Sequence, residues 1–285
     1  RLEYVVPKKR ALVEDVYGVE AGEEFDVDAL FEEYSEYGRR LRDDDMTVNA
    51  GEFLTGRIDD GDRVMLEGAQ GSSIDIDHGI YPYVTSSNPT AGGASTGTGL
   101  SPSVVGGGEV IGIVKAYLSR VGTGPLPTEL EGDDESEELA EYIREEGGEY
   151  GTVTGRPRRV GWLDMPMLRH AARASGFTGL AVNHIDVLAG LDEVKVGHAY
   201  ERDGETLYSM PTTTEKWGEC EPQYRTFDGW PEVDWEEVAT EGYDAIPEAA
   251  RTYLEYVSDE LDTPIYAVGV GPDRSHSVVL EHPFE

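Results

Sequence analysis

The run VIGIVKAY, residues 110–117, combines apolar and β-branched side chains over a length that is typical of a buried strand. Three similar runs follow it along the chain: TGLAV at 178–182, EVKVGHAY at 193–200 and PIYAV at 264–268. Helical patterns lie between them. Strands that alternate with helices predict a layered α/β fold with a mainly parallel central sheet flanked by helices.

Other elements are predicted from their end signals. Asp26 is placed as the N-cap of an amphipathic helix over 27–44, and Pro247 begins a helix that runs to about 261. The apolar face of the first helix holds Leu30, Phe31, Tyr34 and Tyr37. We also predict helices over 136–145 and 163–174, strands over 63–67 and 277–280, a loop over 120–130, and an irregular segment over 203–240 that could form a small subdomain.

The composition is strongly acidic. The 285 residues carry a formal net charge of −35, yet 38% are hydrophobic and 9% aromatic, which excludes a disordered acidic tail. Such a charge destabilises a compact chain in dilute buffer and is screened at molar salt, where the Debye length is about 3 Å. We therefore expect adaptation to a concentrated cytosol. We expect no nucleic-acid partner, because a nucleic-acid surface needs a broad basic face.

The cysteine content and the hydropathy of the chain predict its cellular compartment. Cys220 is its one cysteine, which excludes an intrachain disulfide framework. No stretch approaches the roughly 20 apolar residues of a membrane span, and no signal peptide is visible. We expect a cytoplasmic protein with no membrane partner. The chain opens at Arg1 in mid-pattern, so we expect it to be the C-terminal portion of a single-domain protein, residues 1–285, with its N-terminal part missing.

Residues 65–99, MLEGAQGSSIDIDHGIYPYVTSSNPTAGGASTGTG, show little apolar periodicity and much Gly, Ser, Thr and Asn. Such a stretch offers many backbone N–H groups and hydroxyls. It also contains Tyr81, Tyr83 and Val84, which a solvated linker would not need. These features favour a binding loop over a linker.

Residues 149–164, EYGTVTGRPRRVGWLD, place Arg156, Arg158 and Arg159 within four residues of a chain that has only 23 Lys and Arg. Guanidinium forks match phosphate and carboxylate groups bidentately. The alternative is a surface cluster that pairs with neighbouring carboxylates. Together with the loop at 65–99, this segment favours an anion-binding loop.

Two short patterns remain open from spacing alone. Asn183-His184-Ile185-Asp186 follows a predicted strand, where an Asp could read guanine or simply cap the next turn. Asp75-Ile76-Asp77-His78 could be a metal cluster, but a turn with satisfied carboxylates is favoured because His78 would lie opposite Asp77. The chain contains no G-x-x-x-x-G-K-[ST] phosphate loop.

Six segments taken together resemble the adenylosuccinate synthetase family. They are EGAQG at 67–71, DIDHGIYPYVTSSNPTAGG at 75–93, VKAYLSRVGTGPLPTEL at 114–130, the arginine segment at 149–164, DVLAGLDEVKV at 186–196 and GPDR at 271–274. The resemblance implies a P-loop-NTPase-like fold and a homodimeric enzyme of purine synthesis. That enzyme uses GTP and Mg²⁺ to join IMP and L-aspartate, releasing adenylosuccinate, GDP and phosphate.

The resemblance also implies roles for particular residues. It assigns IMP binding to Gln70, Thr85, Val121 and Arg156. It assigns aspartate binding to Thr152, Val153, Thr154, Gly155, Arg156 and Arg158. It assigns GTP binding to Arg158, His184, Ile185, Asp186, Gly269, Val270 and Gly271.

The chain departs from the family pattern in two ways. His184 stands where lysine is usual, Val153 where threonine is usual, and Gly269 and Val270 where Ser and Thr are usual. The family's catalytic Asp and His, its phosphate loop and its Mg²⁺ ligands are expected upstream, so no catalytic or metal residue is assigned here. We therefore expect no ligase activity from the isolated chain. The rival interpretation is an inactive, truncated nucleotide- or anion-binding module.

Overall fold

A computed structural model describes residues 1–151 and 155–284. The chain divides into two compact units, Arg1–Gly61 and Asp62–Glu285, a boundary that no low-complexity linker announces in the sequence. None of the described helices combines the length and apolarity that a membrane crossing requires.

The smaller unit is helical. Its helices are α1 (Leu2–Ala11), α2 (Val27–Asp43) and α3 (Ala50–Asp59). The predicted cap of α2 is confirmed, because the Asp26 carboxylate accepts hydrogen bonds from the N–H groups of Asp28 and Ala29, each at 2.9 Å. The predicted apolar face is present but exposed, as Phe31 retains 63% and Tyr34 65% of its accessible surface.

The larger unit contains a four-stranded sheet in the order β1-β4-β8-β9. Its strands are β1 (Ile111–Lys115), β4 (Gly179–Asn183), β8 (Ile265–Gly269) and β9 (Ser277–Val279). The first three are parallel, and β9 is an antiparallel edge strand. This sheet confirms the predicted α/β architecture with helices around a parallel sheet.

A second sheet of five strands is mostly antiparallel. Its strands are β2 (Tyr117–Arg120), β3 (Arg159–Asp164), β5 (Glu193–Arg202), β6 (Glu205–Leu207) and β7 (Glu221–Asp228). Only β3 and β5 pair in parallel. The mainly parallel prediction therefore holds for the first sheet alone. The hairpin between β5 and β6 turns at Asp203-Gly204, with φ of +55° and +80°, a two-residue turn that forces antiparallel pairing.

Helices surround the two sheets. They are α4 (Gly92–Thr98), α5 (Pro102–Val105), α6 (Asp134–Glu146), α7 (Met165–Ser175), α8 (Thr214–Gly218), α9 (Trp235–Glu241) and α10 (Glu248–Leu261). Asp133 caps α6 through the Ser136 N–H at 2.9 Å. The buried Tyr253 hydroxyl of α10 donates to the Ala116 carbonyl at 2.6 Å. Ala116 is the residue at which the chain leaves β1 for β2, so this bond holds the junction of the two sheets.

Four local predictions are wrong. Residues 110–117 do not form one strand, because β1 ends at Lys115 and Tyr117 begins β2, which pairs in the second sheet. Residues 63–67 form no strand, because strands require a hydrogen-bonded neighbour and this segment is unpaired within the described chain, with Met65 76% exposed. Leu163 and Asp164 belong to β3, and the helix begins after the Asp164 cap. Residues 203–240 are not irregular: they contain β6, α8, β7 and most of α9, and β7 pairs with β5 along its length.

Candidate functional site

Three parallel strands end at one edge of the first sheet. Lys115 at the end of β1 is in register with Asn183 at the end of β4, and Val182 is in register with Val268, one residue before Gly269 at the end of β8. The carboxyl ends of parallel strands are where ligands bind in open α/β sheets. The segments predicted to bind GTP begin at this edge.

The turn after β4 contains one unsatisfied hydrogen-bond acceptor. Oδ1 of Asp186 is buried and finds no hydrogen-bond donor among the described residues. Burial raises the pKa of Asp186, although the N–H groups of Asp186 and Val187 oppose the shift. Because an unpaired buried acceptor is costly, this oxygen is suited to receive a donor from a ligand.

The neighbouring residues hold this turn rigidly. His184 adopts φ +64°, and Ile185 is fully buried, with its carbonyl accepting from Trp230 Nε1 at 3.0 Å. The His184 ring meets the Tyr117 ring edge to face at 5.7 Å. Burial, followed by the nearby Lys115 ammonium, lowers the pKa of His184, so its imidazole is neutral at neutral pH. Ile185 therefore serves as a core anchor, while His184 and Asp186 remain partly accessible.

The loop after β8 closes the same edge. Val270 is fully buried, and its N–H donates to the His276 carbonyl at 2.9 Å. A Cβ at Gly269 would lie 2.3 Å from Asn183 Oδ1, and one at Gly271 would lie 2.4 Å from His276 Nδ1. Glycine therefore allows close packing against these two side chains. The Val270 side chain packs into the core, and its backbone N–H is held by the fold.

Gln70 and Thr85 lie together, as expected of two residues that share a ligand. The Thr85 hydroxyl donates to Gln70 Oε1 at 2.7 Å and the Ser87 hydroxyl donates to the same oxygen at 2.6 Å. Gln70 itself adopts φ +76°. With Oε1 engaged by two hydroxyls, the amide offers its N–H donors.

Asp75 organises this loop. It is fully buried, and its carboxylate accepts from the N–H groups of Asp77, His78 and Thr90, from Asn88 Nδ2 and from the Thr90 hydroxyl, at 2.9–3.2 Å. Burial alone would raise the pKa of Asp75, but the N–H donors outweigh it and hold the pKa far below its usual value. The interpretation of residues 75–78 as a turn with satisfied carboxylates is confirmed.

The Val121 segment packs beside this loop. Arg120 lies over the Tyr83 ring, with its guanidinium carbon 5.8 Å from the ring centroid, and a Cβ at Gly124 would lie 2.8 Å from Tyr83. Val121 is exposed. Gln70, Thr85 and Val121 are thus brought to one region by contacts that the sequence does not reveal.

The arginines of the 149–164 segment differ in what they contact. Arg159 Nε donates to Glu129 Oε1 at 2.7 Å, and Nη1 donates to the carbonyls of Gly122 and Gly124 at 3.0 and 2.8 Å. Its fork is therefore occupied within the fold. Arg158 Nη1 donates to Glu149 Oε2 at 2.7 Å. Arg156 is engaged through its backbone, since its carbonyl accepts from the Gly151 N–H at 2.8 Å.

The aspartate-binding prediction falls partly outside the described residues, because it includes Thr152, Val153 and Thr154. Gly155 adopts φ +62° and its N–H donates to the Gly151 carbonyl at 2.7 Å. The positive φ explains the glycine, because other residues rarely adopt this conformation.

Glu149 is a site residue that the sequence did not identify. Its side chain is fully buried and accepts from Lys115 Nζ at 2.5 Å, from the Tyr117 hydroxyl at 2.8 Å and from Arg158. Burial alone would raise the pKa of Glu149, but these hydrogen bonds and the Lys115 charge outweigh it and lower the pKa. Its partners are 9 to 34 residues away in sequence, so no local pattern reveals the cluster.

The fold and the unpaired acceptor at the strand edge define an α/β protein with a candidate ligand site at the carboxyl ends of its parallel strands. The family model described as Adenylosuccinate synthetase matches residues 1–278. The chain belongs to the adenylosuccinate synthetase family.

Named relatives agree with this membership. A protein from the haloarchaeon Natronomonas pharaonis named adenylosuccinate synthetase is 70% identical, over 99% of this chain and 65% of that protein. One from Salinibacter ruber is 44% identical, over 99% of this chain and 61% of that protein. A solved structure titled as fully ligated adenylosuccinate synthetase from Plasmodium falciparum superimposes with a TM-score of 0.82 at 34% identity, covering 99% of this chain and 64% of that one. The chain thus spans about 65% of the length of its haloarchaeal relatives.

Proposed function

We propose that the protein to which this chain belongs is a cytoplasmic, homodimeric adenylosuccinate synthase that joins IMP and L-aspartate at the expense of GTP. This chain would supply IMP-, aspartate- and guanine-binding residues. Family membership over residues 1–278 supports the proposal. The observation that carries it is the buried Oδ1 of Asp186, which has no donor among the described residues and lies at the strand edge.

Asp186 would read the guanine base. Guanine presents its N1–H and its exocyclic amine side by side, and a carboxylate can accept from both, whereas adenine presents an acceptor at N1. The neutral His184 ring lies beside the carboxylate and offers a stacking surface without a repelling or attracting charge. Gly269, Val270 and Gly271 would form a neighbouring wall of the base site, because β8 ends at Gly269 on the same edge of the sheet.

The proposed reaction has two steps. The 6-oxygen of IMP attacks the γ-phosphorus of GTP as the base loses its N1 proton, and GDP leaves. The aspartate amine then attacks C6 of the base, loses a proton and expels phosphate. Gln70 and Thr85 would hold IMP, and Arg156 and Arg158 would bind the carboxylates of aspartate, for which guanidinium forks are matched.

The resemblance also calls for Mg²⁺. Within residues 1–151 and 155–284, no group of three or more His, Cys, Asp or Glu side chains is arranged to hold a metal ion. The described residues therefore identify no magnesium site by themselves, since Mg²⁺ is usually bound through one or two carboxylates together with phosphates and waters. No metal ligand is assigned to this chain and no step is derived through the metal.

The test is a ligase assay on the protein expressed from its complete gene, with IMP, L-aspartate, GTP and Mg²⁺ in molar KCl. Adenylosuccinate should form with GTP and not with ATP. Asp186→Asn should reduce the discrimination between GTP and ATP by roughly a hundredfold or more, since a buried acceptor is replaced by a donor. Asp244→Asn, at an exposed carboxylate, is the matched control.

The outcomes separate the two interpretations. No product from the folded, salt-stabilised protein would favour the rival, a truncated module that binds anions without base preference. Unchanged discrimination in Asp186→Asn would refute the guanine assignment. The isolated 285-residue chain should form no adenylosuccinate, and activity equal to that of the complete gene product would overturn that expectation.

A further inference from the structure

We propose that Glu149 is a positioning residue. It orients the Arg158 guanidinium toward an anionic substrate group. It also links this guanidinium to the strand ends beside the turn at residues 183–186, here called the base-reading turn. The inference rests on the proposed function for the identity of that anion. The arrangement of Glu149 and its partners carries the inference, whatever the reaction.

Glu149 lies at the start of the segment from Glu149 to Arg158, here called the arginine loop. The Arg158 N–H donates to the Glu149 carbonyl at 2.8 Å, while the Arg158 guanidinium donates to the Glu149 carboxylate at 2.7 Å. Directly inside this pair, Tyr150 and Pro157 form a β-bridge. The backbone and the side chain of Glu149 therefore fix the position of Arg158 and the direction of its guanidinium.

The groups around Glu149 carry a net positive charge that can bind an anionic ligand. One fully buried carboxylate faces two cations, Lys115 and Arg158, whose side chains remain 32% and 28% exposed. The Glu149 carboxylate is buried, whereas the Lys115 and Arg158 side chains are partly accessible to solvent. Arg158 uses Nη1 toward Glu149, and a guanidinium has five N–H donors, so the fork is oriented without being exhausted.

The same carboxylate reaches the base-reading turn. Lys115 is in register with Asn183, and the Ala116 N–H donates to the Asn183 carbonyl at 2.8 Å. Tyr117, which donates to Glu149, packs its ring against His184 at 5.7 Å. A shift of Glu149 would therefore move groups at both the arginine loop and the turn at 183–186.

The neighbouring pair on β3 supplies a contrast. Arg159 also meets a carboxylate, Glu129, but its remaining donors bind the carbonyls of Gly122 and Gly124. The Arg159 guanidinium is therefore occupied by contacts within the fold. Glu129→Gln is therefore the matched control, because it removes an arginine–carboxylate pair of similar burial without touching Arg158.

The first experiment needs no activity. The folded protein is treated with phenylglyoxal, and modification of each arginine is followed by mass spectrometry. Glu149→Gln should accelerate modification of Arg158 roughly tenfold, the factor expected when one charged hydrogen bond is lost. Glu129→Gln should accelerate Arg159 and leave Arg158 unchanged. Equal Arg158 rates in the wild type and in Glu149→Gln would overturn the proposal.

The second experiment measures kinetics on the complete gene product. Glu149→Gln should raise KM for L-aspartate roughly tenfold or more with a smaller change in kcat, and Glu149→Asp should restore part of the loss. A merely structural role would lower the folded fraction, and so kcat, without changing KM. Unchanged KM for aspartate in folded Glu149→Gln would contradict the proposal.

Two further outcomes are decided in advance. If Glu149→Gln does not fold, Glu149→Asp carries both tests: its shorter side chain cannot keep Lys115 and Arg158 together, so Arg158 modification and KM must still rise. If the wild type makes no adenylosuccinate, the proposed function fails. Glu149 is then judged by Arg158 modification alone, which Glu149→Gln must still accelerate.

Discussion

The Tyr200 hydroxyl lies within hydrogen-bonding distance of both carboxylate oxygens of Asp164, at 2.7 and 2.6 Å, and both residues are fully buried. Asp164 Oδ1 also accepts from the Met167 N–H at 3.0 Å and so begins α7. Burial raises the pKa of Asp164 to about 6, while Tyr200 and the Met167 N–H oppose the shift. A helix cap in the core is thus a group that titrates in mildly acidic solution.

Asp164 should make stability fall as pH rises. Its pKa is raised above the ordinary 3.8, so its contribution is complete below pH 3.8 and is lost as pH rises through about 6. A shift of about two pKa units corresponds to roughly 3 kcal/mol. Asp164→Asn keeps an acceptor for Tyr200 and Met167 and should remove this slope in urea unfolding between pH 4 and 7. The exposed Asp203→Asn should retain it; an equal slope in Asp164→Asn would refute the assignment.

Asp75 should act with the opposite sign. Its pKa is depressed, so its contribution is present above the unfolded pKa and is lost as the pH falls toward the folded value. Asp75→Asn places an amide N–H₂ against existing donors and should cost about 2–4 kcal/mol of unfolding free energy, measured in urea at neutral pH. Asp77→Asn is the control, since exposed Asp77 accepts one bond from Asn88. Equal losses in the two variants would contradict the role of Asp75.

Gly269→Ala should disturb the proposed guanine site. The new Cβ would lie 2.3 Å from Asn183 Oδ1 and 3.3 Å from Asn183 Cα, so the Asn183 side chain must move and the end of β4 must shift by a few tenths of an ångström. We expect a loss of about 1–3 kcal/mol in stability and weaker GDP binding by calorimetry. Gly97→Ala in α4 meets nothing within 4 Å and should leave GDP binding unchanged. Wild-type GDP affinity in Gly269→Ala would show that this packing is irrelevant to the site.

Salt should stabilise the whole protein. A net charge of −35 repels itself over a Debye length of about 10 Å at 0.1 M salt and about 3 Å at 1 M. The midpoint of thermal unfolding should therefore rise steadily as KCl increases to molar concentrations. The matched measurement uses a neutral osmolyte at equal osmolality. If the midpoint stayed constant with KCl, or rose equally with the osmolyte, charge screening would not explain the composition.

Much of the fold could be predicted because its signals are local. The Asp26 cap with the helix after it and the proline before α10 depend on neighbouring residues, and both helices were predicted to within a few residues. The apolar run at 110–117 was predicted as one strand, but its residues divide between β1 and β2, because the change of pairing partner at Ala116 leaves no local signal. β3 was missed because RVGWLD continues directly into the apolar start of α7. β7 was missed because its residues become a strand only through pairing with β5.

The candidate site divides in the same way. The loop at 65–99 was predicted to bind a ligand from its composition, whereas the pattern at 183–186 stayed open until the family resemblance assigned it to GTP. Gln70 and Thr85, which the resemblance assigns to IMP, hydrogen-bond to each other. These roles stay predictions. The three arginines could not be ranked, because their carboxylate partners Glu149 and Glu129 lie 9 and 30 residues from them. An arginine has the same local sequence pattern whether its guanidinium is available to a ligand or fully hydrogen-bonded within the fold.

The sequence by itself determined the local elements, the acidic surface and the family, since these follow from periodicity, composition and motif order. The tertiary structure alone decided which charged groups are buried, paired or left with spare donors and acceptors. The physical reason is that desolvation and hydrogen bonding depend on what surrounds a group in space, and Asp75, Glu149, Asp164 and Asp186 are four carboxylates with four different surroundings.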